Sequence, residues 1–358
     1  MTIYYVATTG NDANGGTDPD TDAKLTIAAG VGLLAAGDTL RIVAGTYTLT
    51  STVSVNDSIG GTTYQAATII EGYRGIPVIT SATNSVALFT TDTGTLTYFI
   101  LRDVKLTHTA ATRGVGLLGA GANASQPQWY LQDVEIDGCS NGVSESSRLS
   151  LAKMERVTIR NCTSHGASIT NASSFFLTGC KFINNSGAGF VIATNANASP
   201  FIERCIFSGN TLDGFSFDAS ARNTAIRFMH CTFEGNGGEG LNLPVGSTGS
   251  IHPVLTSNVF WGNTNYGLEV GTNPSGAGNT NDNNAYGGNT SGDHTGWYDG
   301  DNKISLSVDP FRNAASENWE PNEAGTGGAL LRGAGTNGAD VGAVQHEGST
   351  EGGAAVAF

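Results

Sequence analysis

A short phrase of alternating apolar and polar residues occurs six times in the middle of this chain. One apolar position of the phrase recurs at intervals of 23, 23, 25, 26 and 27 residues. Its occupants are Ile136, Ile159, Phe182, Phe207, Phe233 and Phe260. Alternation with a period of two is typical of a strand with one buried face. Short strands in repeats of this length, joined by Gly and Asn corners, predict the turns of a solenoid.

In a solenoid, equivalent residues of successive turns stack about 4.8 Å apart. The recurring apolar position therefore predicts a buried column. A second column, at a corner of each turn, is made of Asn185, Asn210, Asn236 and Asn263. Asn amides in such a column bond to one another and tolerate left-handed backbone. All five cysteines fall on column positions, which favours small buried side chains over a disulfide or a metal site.

Composition narrows the choice of partners. Only 13% of the residues are charged, and 50 of the 358 are Gly, which is typical of an extracellular β-solenoid. The net charge of -14 argues against nucleic acid and anionic membranes, and disfavours polyanionic sugars unless cations bridge them. No stretch reaches the roughly 20 apolar residues that span a bilayer, so we expect no membrane insertion.

The chain begins directly with a predicted strand, and no signal peptide precedes it. We expect either that a leader has been removed or that the protein leaves its cell with a virus particle. Apolar residues at helical spacing over Thr26–Ala36 predict a short capping helix. The predicted domains are an N-terminal strand and capping helix over 1–38, a β-helix over 39–347 with loop excursions at 271–302 and a C-terminal cap, and a flexible tail over 348–358.

Phrases at both ends of the chain resemble a known group of proteins. They are Tyr4–Val6, Gly10–Thr17, Gly37–Thr39, Ala44–Tyr47, Val308–Phe311 and Asp340–Ala343. With the repeats, they resemble right-handed parallel β-helix proteins of the pectate-lyase-like superfamily. The resemblance implies an all-β, single-stranded right-handed parallel β-helix with a short N-terminal capping α-helix. That superfamily holds lyases, hydrolases, epimerases, adhesins and virion proteins, so the activity stays open.

Acidic residues occupy one corner position on two successive repeats. The position just before the corner Gly is held by His165, Ala188, Asp213, Glu239 and Tyr266. Asp213 and Glu239 are therefore predicted to be neighbours. Two carboxylates about 5 Å apart suit a retaining glycosidase, and carboxylates also suit a calcium site in a lyase. The alternative is that these acids decorate a solvated corner.

A second candidate pair lies three residues before the buried column. Arg204 and His230 are predicted to meet across one turn, as an ordinary polar pair or as the base and charge stabiliser of a β-elimination. Asp12–Gly15 resembles half of a calcium loop without its closing Glu, and a turn held by Asx side chains explains it equally well. We predict no cofactor and no metal through sulfur, with Ca²⁺ as the alternative.

Aromatic residues outside the buried column form a third candidate site. Trp261 and Tyr266 belong to one repeat, and Trp297, Tyr298 and Trp319 follow in later segments. Exposed rings of this kind bind sugars or dock proteins. Capping of the solenoid end explains Trp297 and Trp319 as well.

Two functions follow from these patterns. The first is a non-enzymatic structural or receptor- and glycan-binding β-helix protein, expected in a phage virion, as a tail or capsid-surface component, or outside the cell. Its expected partners are polysaccharide or other virion proteins, and the resemblance also implies a homo-oligomer. The alternative is a polysaccharide lyase or glycoside hydrolase, with Asp213, Glu239, His230 and Arg204 as its catalytic candidates.

Overall fold

The computed structural model describes residues 1–91, 98–119, 128–192, 199–217, 224–243, 251–271, 279–296 and 300–346. Their backbone packing forms two compact units. The first comprises Met1–Phe176 and Ile183–Ala193, and the second comprises Leu177–Phe182 and Thr194–Phe358. Each unit is built mainly of short parallel strands, which confirms the predicted all-β parallel β-helix.

Strands are numbered in chain order, and the helix Ile27–Val31 is α1. The first fifteen strands are β1 Ile3–Val6, β2 Thr39–Val43, β3 Thr46–Leu49, β4 Val53–Val55, β5 Thr68–Tyr73, β6 Val78–Ser81, β7 Phe89–Thr91, β8 Phe99–Arg102, β9 Lys105–His108, β10 Leu117–Gly119, β11 Trp129–Gln132, β12 Glu135–Asp137, β13 Val143–Glu155, β14 Thr158–Arg160 and β15 Ala167–Thr178. The next are β16 Lys181–Ile183, β17 Phe190–Ile192, β18 Phe201–Glu203, β19 Ile206–Ser208, β20 Phe215–Phe217, β21 Thr224–Met229, β22 Thr232–Glu234, β23 Leu241–Leu243, β24 Ile251–Thr256, β25 Val259–Trp261, β26 Tyr266–Val270, β27 Thr280–Asp282, β28 Ala285–Gly287, β29 Gly292–Thr295, β30 Ile304–Ser305, β31 Phe311–Asn313 and β32 Asn318–Pro321.

Each turn of the first unit supplies strands to three rows. Row 1 contains β1, β2, β5, β8 and β11, row 2 contains β3, β6, β9, β12 and β14, and row 3 contains β4, β7 and β10. Neighbouring strands are parallel and in register, with Ile136 opposite Ile159 between β12 and β14. The long strand β13 pairs with β10 at Val143 and with β11 at Met154. Its first residues therefore belong to row 3 and its last residues to row 1.

The second unit repeats the three rows. Row 1 contains β18, β21, β24 and β27, row 2 contains β19, β22, β25, β28 and β30, and row 3 contains β20, β23, β26 and β29. The segment 271–302, predicted as loop excursions, thus contributes β27, β28 and β29 to a further turn. Its apolar pattern is weak because the interior position of β27 is the buried Asn281.

A stack of aromatic rings fills the core of the second unit. It consists of Phe182, Phe207, Phe233, Phe260 and Tyr286. Successive ring centroids are 4.9 to 5.1 Å apart, and the ring planes differ by 4 to 10°. This spacing follows from the distance between paired strands. The predicted buried column is therefore present in this unit, extended by Tyr286.

Buried Asn side chains link the turns of the second unit in two columns. One comprises Asn210, Asn236, Asn263 and Asn289, and the other comprises Asn258 and Asn284. Asn236 is typical: its Nδ2 donates to Asn263 Oδ1 at 2.9 Å and to the main-chain oxygen of Phe207 at 3.0 Å. Its own Oδ1 accepts from the Nδ2 and the main-chain N–H of Asn210. The predicted amide column is confirmed for Asn210, Asn236 and Asn263, and Asn289 extends it.

Left-handed backbone does not occur at the Asn column itself, contrary to the prediction. It occurs one residue earlier, at Gly138, Asn161, Asn184, Gly209, Gly235, Gly262 and Gly288. Gly lacks the Cβ that makes this conformation costly, so it takes most of these positions and leaves the Asn side chain to bond. The corner between rows 1 and 2 is also left-handed, at Asp103, Asp133, Arg156, Gly179, Arg204, His230, Ser257 and Asn283.

The N-terminal helix is present but shorter than predicted, because it covers Ile27–Val31 rather than Thr26–Ala36. The Thr26 side chain caps it by accepting from the N–H of Ala29 at 3.2 Å. Gly30 and Gly32 are poor helix formers, which accounts for the early end. Gly30 also lets the helix approach Leu40 closely, since a Cβ there would lie 2.8 Å from its side chain.

The C-terminal segment 308–346 covers the outward face of row 2 in the second unit. Gly342 N–H donates to the main-chain oxygen of Ser257 at 2.8 Å, and Ala343 N–H donates to Thr232 Oγ1 at 3.1 Å. Val259 points away from the aromatic stack and is nevertheless fully buried. Trp319, predicted as an outward or capping ring, is buried in this segment, with its Nε1 3.5 Å from Glu234 Oε2.

All five cysteines are buried free thiols. Within the ranges given above, no helix is long and apolar enough to cross a membrane.

Replacement of one Asn in the buried Asn columns, here called the amide ladder, should destabilise the second unit strongly. In Asn236→Ala, the buried main-chain oxygen of Phe207 and the amides of Asn210 and Asn263 lose partners, so we expect a loss of about 2–4 kcal/mol. Urea or thermal unfolding measures it. The control is Thr264→Ala, an exposed neighbour that should change stability by less than about 0.5 kcal/mol. Equal losses in the two variants would contradict a structural role for the ladder.

Candidate functional site

The corner between rows 2 and 3 carries side chains that accept main-chain hydrogen bonds from the next turn. In the first unit, Asn141 Oδ1 accepts from His165 N–H at 3.0 Å, and His165 Nδ1 accepts from Ala188 N–H at 3.0 Å. Burial lowers the pKa of His165 and so favours the neutral ring that this acceptor role needs. The side chains of this column therefore hydrogen-bond each turn to the next.

Asp213 performs the same task in the second unit. Its Oδ1 accepts from the main-chain N–H of Glu239 at 3.0 Å, and its Oδ2 accepts from Asn242 Nδ2 at 3.0 Å. Asp213 and Glu239 thus lie on successive turns, as their spacing predicts. Both oxygens of Asp213 are held by protein donors, which fixes the direction of the carboxylate.

Glu239 differs from the other members of the column because its side chain turns toward Asp213. It shares a side-chain hydrogen bond with that carboxylate, and its Oε1 accepts from Asn265 Nδ2 at 3.0 Å. Burial, followed by the hydrogen bond to Asp213 and its negative charge, raises the pKa of Glu239 to about 7. The Glu239 carboxyl therefore gains and loses a proton near neutral pH.

Asn242 adds a half-buried acceptor to the same place. Its Nδ2 is used by Asp213, but its buried Oδ1 has no hydrogen-bond partner among the described residues. Asn242 lies on β23 between the buried Leu241 and Leu243, so it faces outward, and it is opposite Glu269 of β26. A buried acceptor that lacks a partner is costly unless a ligand or water supplies a donor.

The predicted aromatic residues of this turn pack on glycines of the following turn. The half-buried Trp261 lies over Gly287 and Gly288, where an added Cβ would come within 2.7 to 3.2 Å of its ring. The half-buried Tyr266 follows Glu239 in the corner column and lies against Gly292. Trp297 and Tyr298 lie outside the described residues.

Asp213, Glu239, Asn242, Asn265 and Tyr266 are here called the corner cluster. Asn242 and Asn265 were not among the sequence candidates. Alternation along β23 shows that Asn242 faces outward, and Asn265 directly precedes Tyr266. The sequence therefore indicates that these two side chains face outward. It does not indicate which outward side chains meet, because that depends on how each turn bends.

Arg204 and His230 lie at the other corner of the turn, between rows 1 and 2. His230 is only 4% exposed, and its Nδ1 is 3.0 Å from the main-chain oxygen of Asp340. Burial, together with the charge of Arg204, lowers the pKa of His230. This contact places His230 beneath the C-terminal segment, and no hydrogen bond or ion pair among the described residues joins it to the corner cluster.

Asp12 lies in the stretch that resembles half of a calcium loop. Its carboxylate accepts from the main-chain N–H groups of Leu25 and Thr26 at 2.9 and 2.8 Å, and from the Thr26 hydroxyl at 2.8 Å. These bonds attach the loop to the start of α1. In the described part of the chain, no three His, Cys, Asp or Glu side chains converge in a metal-binding arrangement, and calcium binding stays a prediction.

Glu239→Gln should remove the pH dependence that Glu239 contributes to stability. The folded pKa of about 7 lies above the ordinary value of 4.5, so the folded chain binds the extra proton between these values. The stabilisation that the protonated Glu239 gives to the folded chain is fully present below pH 4.5 and is lost as the pH rises through 7. Because the group is partly exposed, we expect Glu239→Gln to exceed the wild type by only about 1 kcal/mol at pH 8, and to match it at pH 4.5. Unfolding measured across this range tests it, and a difference independent of pH would contradict it.

Comparison with known proteins gives both a family and similar folds. The family model described as the right-handed β-helix region matches residues 114–307. Pectate lyase Pel9A is similar over 97% of this chain and 96% of its own, with a TM-score of 0.59 and 15% identity. The Dettilon tailspike protein is similar over 79% of this chain and 58% of its own (TM-score 0.51, 11% identity). XylC, solved with xylose, is similar over 80% and 75% (TM-score 0.51, 10% identity).

At these identities the structural likenesses concern the fold alone. No curated protein matches the sequence. The family model covers more than half of the chain, including the turns that carry the corner cluster, and the parallel rows agree with it. The chain therefore belongs to the family of right-handed β-helix proteins.

Proposed function

We propose that this protein binds carbohydrate without cleaving it, and that the corner cluster is the binding site. The observation that carries the proposal is the cluster itself: carboxylate and amide groups on three successive turns, beside a half-buried tyrosine ring. Sugars offer hydroxyl groups that both donate and accept hydrogen bonds, and apolar faces that pack on aromatic rings. A site with a few directed polar groups and one ring matches that chemistry.

The geometry of the two acids favours binding over hydrolysis. Glycosidases hold their two carboxyl groups about 5–5.5 Å apart when they retain configuration, and about 6.5–9.5 Å apart when they invert it. Asp213 raises the pKa of Glu239 through a hydrogen bond and its negative charge, so the two acids interact with each other rather than facing a substrate between them. Both oxygens of Asp213 also accept hydrogen bonds, from Glu239 N–H and Asn242, which makes the carboxylate a weaker nucleophile.

A place in a phage virion, as a tail or capsid-surface component, is part of the same proposal. Its support is the similarity in fold to a tailspike protein and the low proportion of charged residues. Other virion proteins and further copies of this chain would then be partners, and an extracellular location is the alternative.

One observation favours a second candidate function, a polysaccharide lyase or glycoside hydrolase. A carboxyl group with a pKa of about 7, as at Glu239, is suited to act as a general acid or base at neutral pH. The similarity in fold to a pectate lyase along nearly the whole chain supports the same candidate.

Loss of a cluster side chain should weaken polysaccharide binding. We expect Asn242→Ala and Tyr266→Ala each to lower affinity about tenfold, because each removes roughly one hydrogen bond or ring contact. Affinity electrophoresis in gels containing a panel of polysaccharides measures this. Tyr64→Ala in the first unit, where the ring is 38% exposed, is the control and should bind like the wild type. Unchanged affinity in both cluster variants would refute the site.

Incubation with the same panel should release no reducing ends and no unsaturated sugars. We expect wild type, Asp213→Ala and Glu239→Ala to be equally inactive, because the two acids interact with each other and with protein donors. Reducing-end assays and ultraviolet absorbance follow the two products. Cleavage by the wild type that both variants lose would replace the binding proposal with the enzymatic one.

A further inference from the structure

We propose that the corner cluster selects an uncharged polysaccharide, recognised through its hydroxyl groups. This inference rests on the proposed function and specifies its ligand. It concerns the charge and the hydrogen-bonding character of the cluster and of the outward residue beside it, Glu269.

The acids around the cluster have no cationic partner in the described part of the chain. Asp213, Glu239 and Glu269 form no ion pair with Lys or Arg there. Lys303, in the last turns of the same unit, is bound to Asp293 at 3.0 Å. A sugar carboxylate or sulfate placed here would meet negative charge without a partner, which is strongly unfavourable in a partly buried site.

The cluster also presents more acceptors than donors. Asn242 Oδ1 is buried and has no partner in the part of the chain that the structure describes, and its Nδ2 is already used by Asp213. The Nδ2 of Asn265 is likewise used, by Glu239. Each of these amides keeps one further N–H and Tyr266 carries a hydroxyl, but the amide and carboxylate oxygens of the cluster are more numerous and need donors. A neutral sugar supplies these donors as hydroxyl protons, whereas a uronate replaces one hydroxyl by another acceptor.

The charge of the whole chain acts in the same direction. The formal net charge is -14, so a polyanionic chain is repelled before it reaches the site. The repulsion is screened by salt, while repulsion inside the cluster is screened much less. Salt dependence therefore separates the long-range effect from selection by the cluster.

The test compares wild-type affinities for neutral and charged polysaccharides at 0.02 and 0.15 M salt. The neutral probes are β-glucan, galactomannan and xylan, the acidic probes are polygalacturonate and alginate, and the cationic probe is chitosan. We expect at least one neutral polymer to bind, with no effect of CaCl₂ or EDTA. The acidic polymers should bind at least tenfold more weakly at both salt concentrations, with or without calcium.

Charge variants of one residue provide the matched comparison. Glu269→Lys should raise affinity for polygalacturonate tenfold or more, while Glu323→Lys, on an 81% exposed side chain elsewhere, makes the same change in net charge and should not. Glu269→Gln removes the charge at constant size and should raise affinity for polygalacturonate two- to threefold. This variant still tests the inference if Glu269→Lys does not fold.

The possible failures are distinct. Wild-type binding to an acidic polymer or to chitosan that equals or exceeds neutral binding, and that Asn242→Ala abolishes, overturns the neutral-ligand inference but keeps the corner cluster as a site. Equal gains from Glu269→Lys and Glu323→Lys also overturn the inference, because selection would then come from net charge alone. Binding of no polysaccharide at all overturns the inference and the proposed function together.

Discussion

The register between successive turns is the constraint on which the rest of the second unit depends. Main-chain hydrogen bonds between parallel strands are compatible with several registers, so contacts between side chains must select one of them. Here each Asn within the two columns binds a main-chain oxygen of the preceding turn and an Asn of the following turn, and only the last Asn of each column, Asn284 or Asn289, lacks the second bond among the described residues. The ring stack at about 5 Å is satisfied by the same register. A slip by one residue would bury polar side chains and break both sets of contacts at once.

The corner cluster is a consequence of that register. Asn141 and His165 in the first unit show that this column exists to receive a main-chain N–H from the next turn. Where the acceptor is Asp213 and the next residue is Glu239, the same arrangement brings two acids together and raises the pKa of the second. A column position that hydrogen-bonds the turns to one another thereby also presents oriented acceptor groups for a ligand, and the backbone follows the same path.

Much of the fold was predictable because neighbours in a solenoid are separated by one repeat. The intervals between Phe207, Phe233 and Phe260 predict their stacking, and those between Asp213 and Glu239 predict their contact. Other features were not predictable from spacing. His230 meets Asp340, 110 residues away, because the C-terminal segment folds back over row 2. The strands β27 and β29 were not predicted because they lack apolar residues, and the buried interior position of β27 is Asn281.

The sequence by itself determined the period, the strands, the buried column and the amide ladder, because each of these depends on contacts between residues one repeat apart. Only the tertiary structure decided which outward side chains are available. It placed His230 beside the C-terminal segment, and it oriented Asn242 and Asn265 toward the acids of the corner. The physical reason is that outward side chains do not obey the period: their surroundings depend on the bend of each corner and on segments that return from distant parts of the chain.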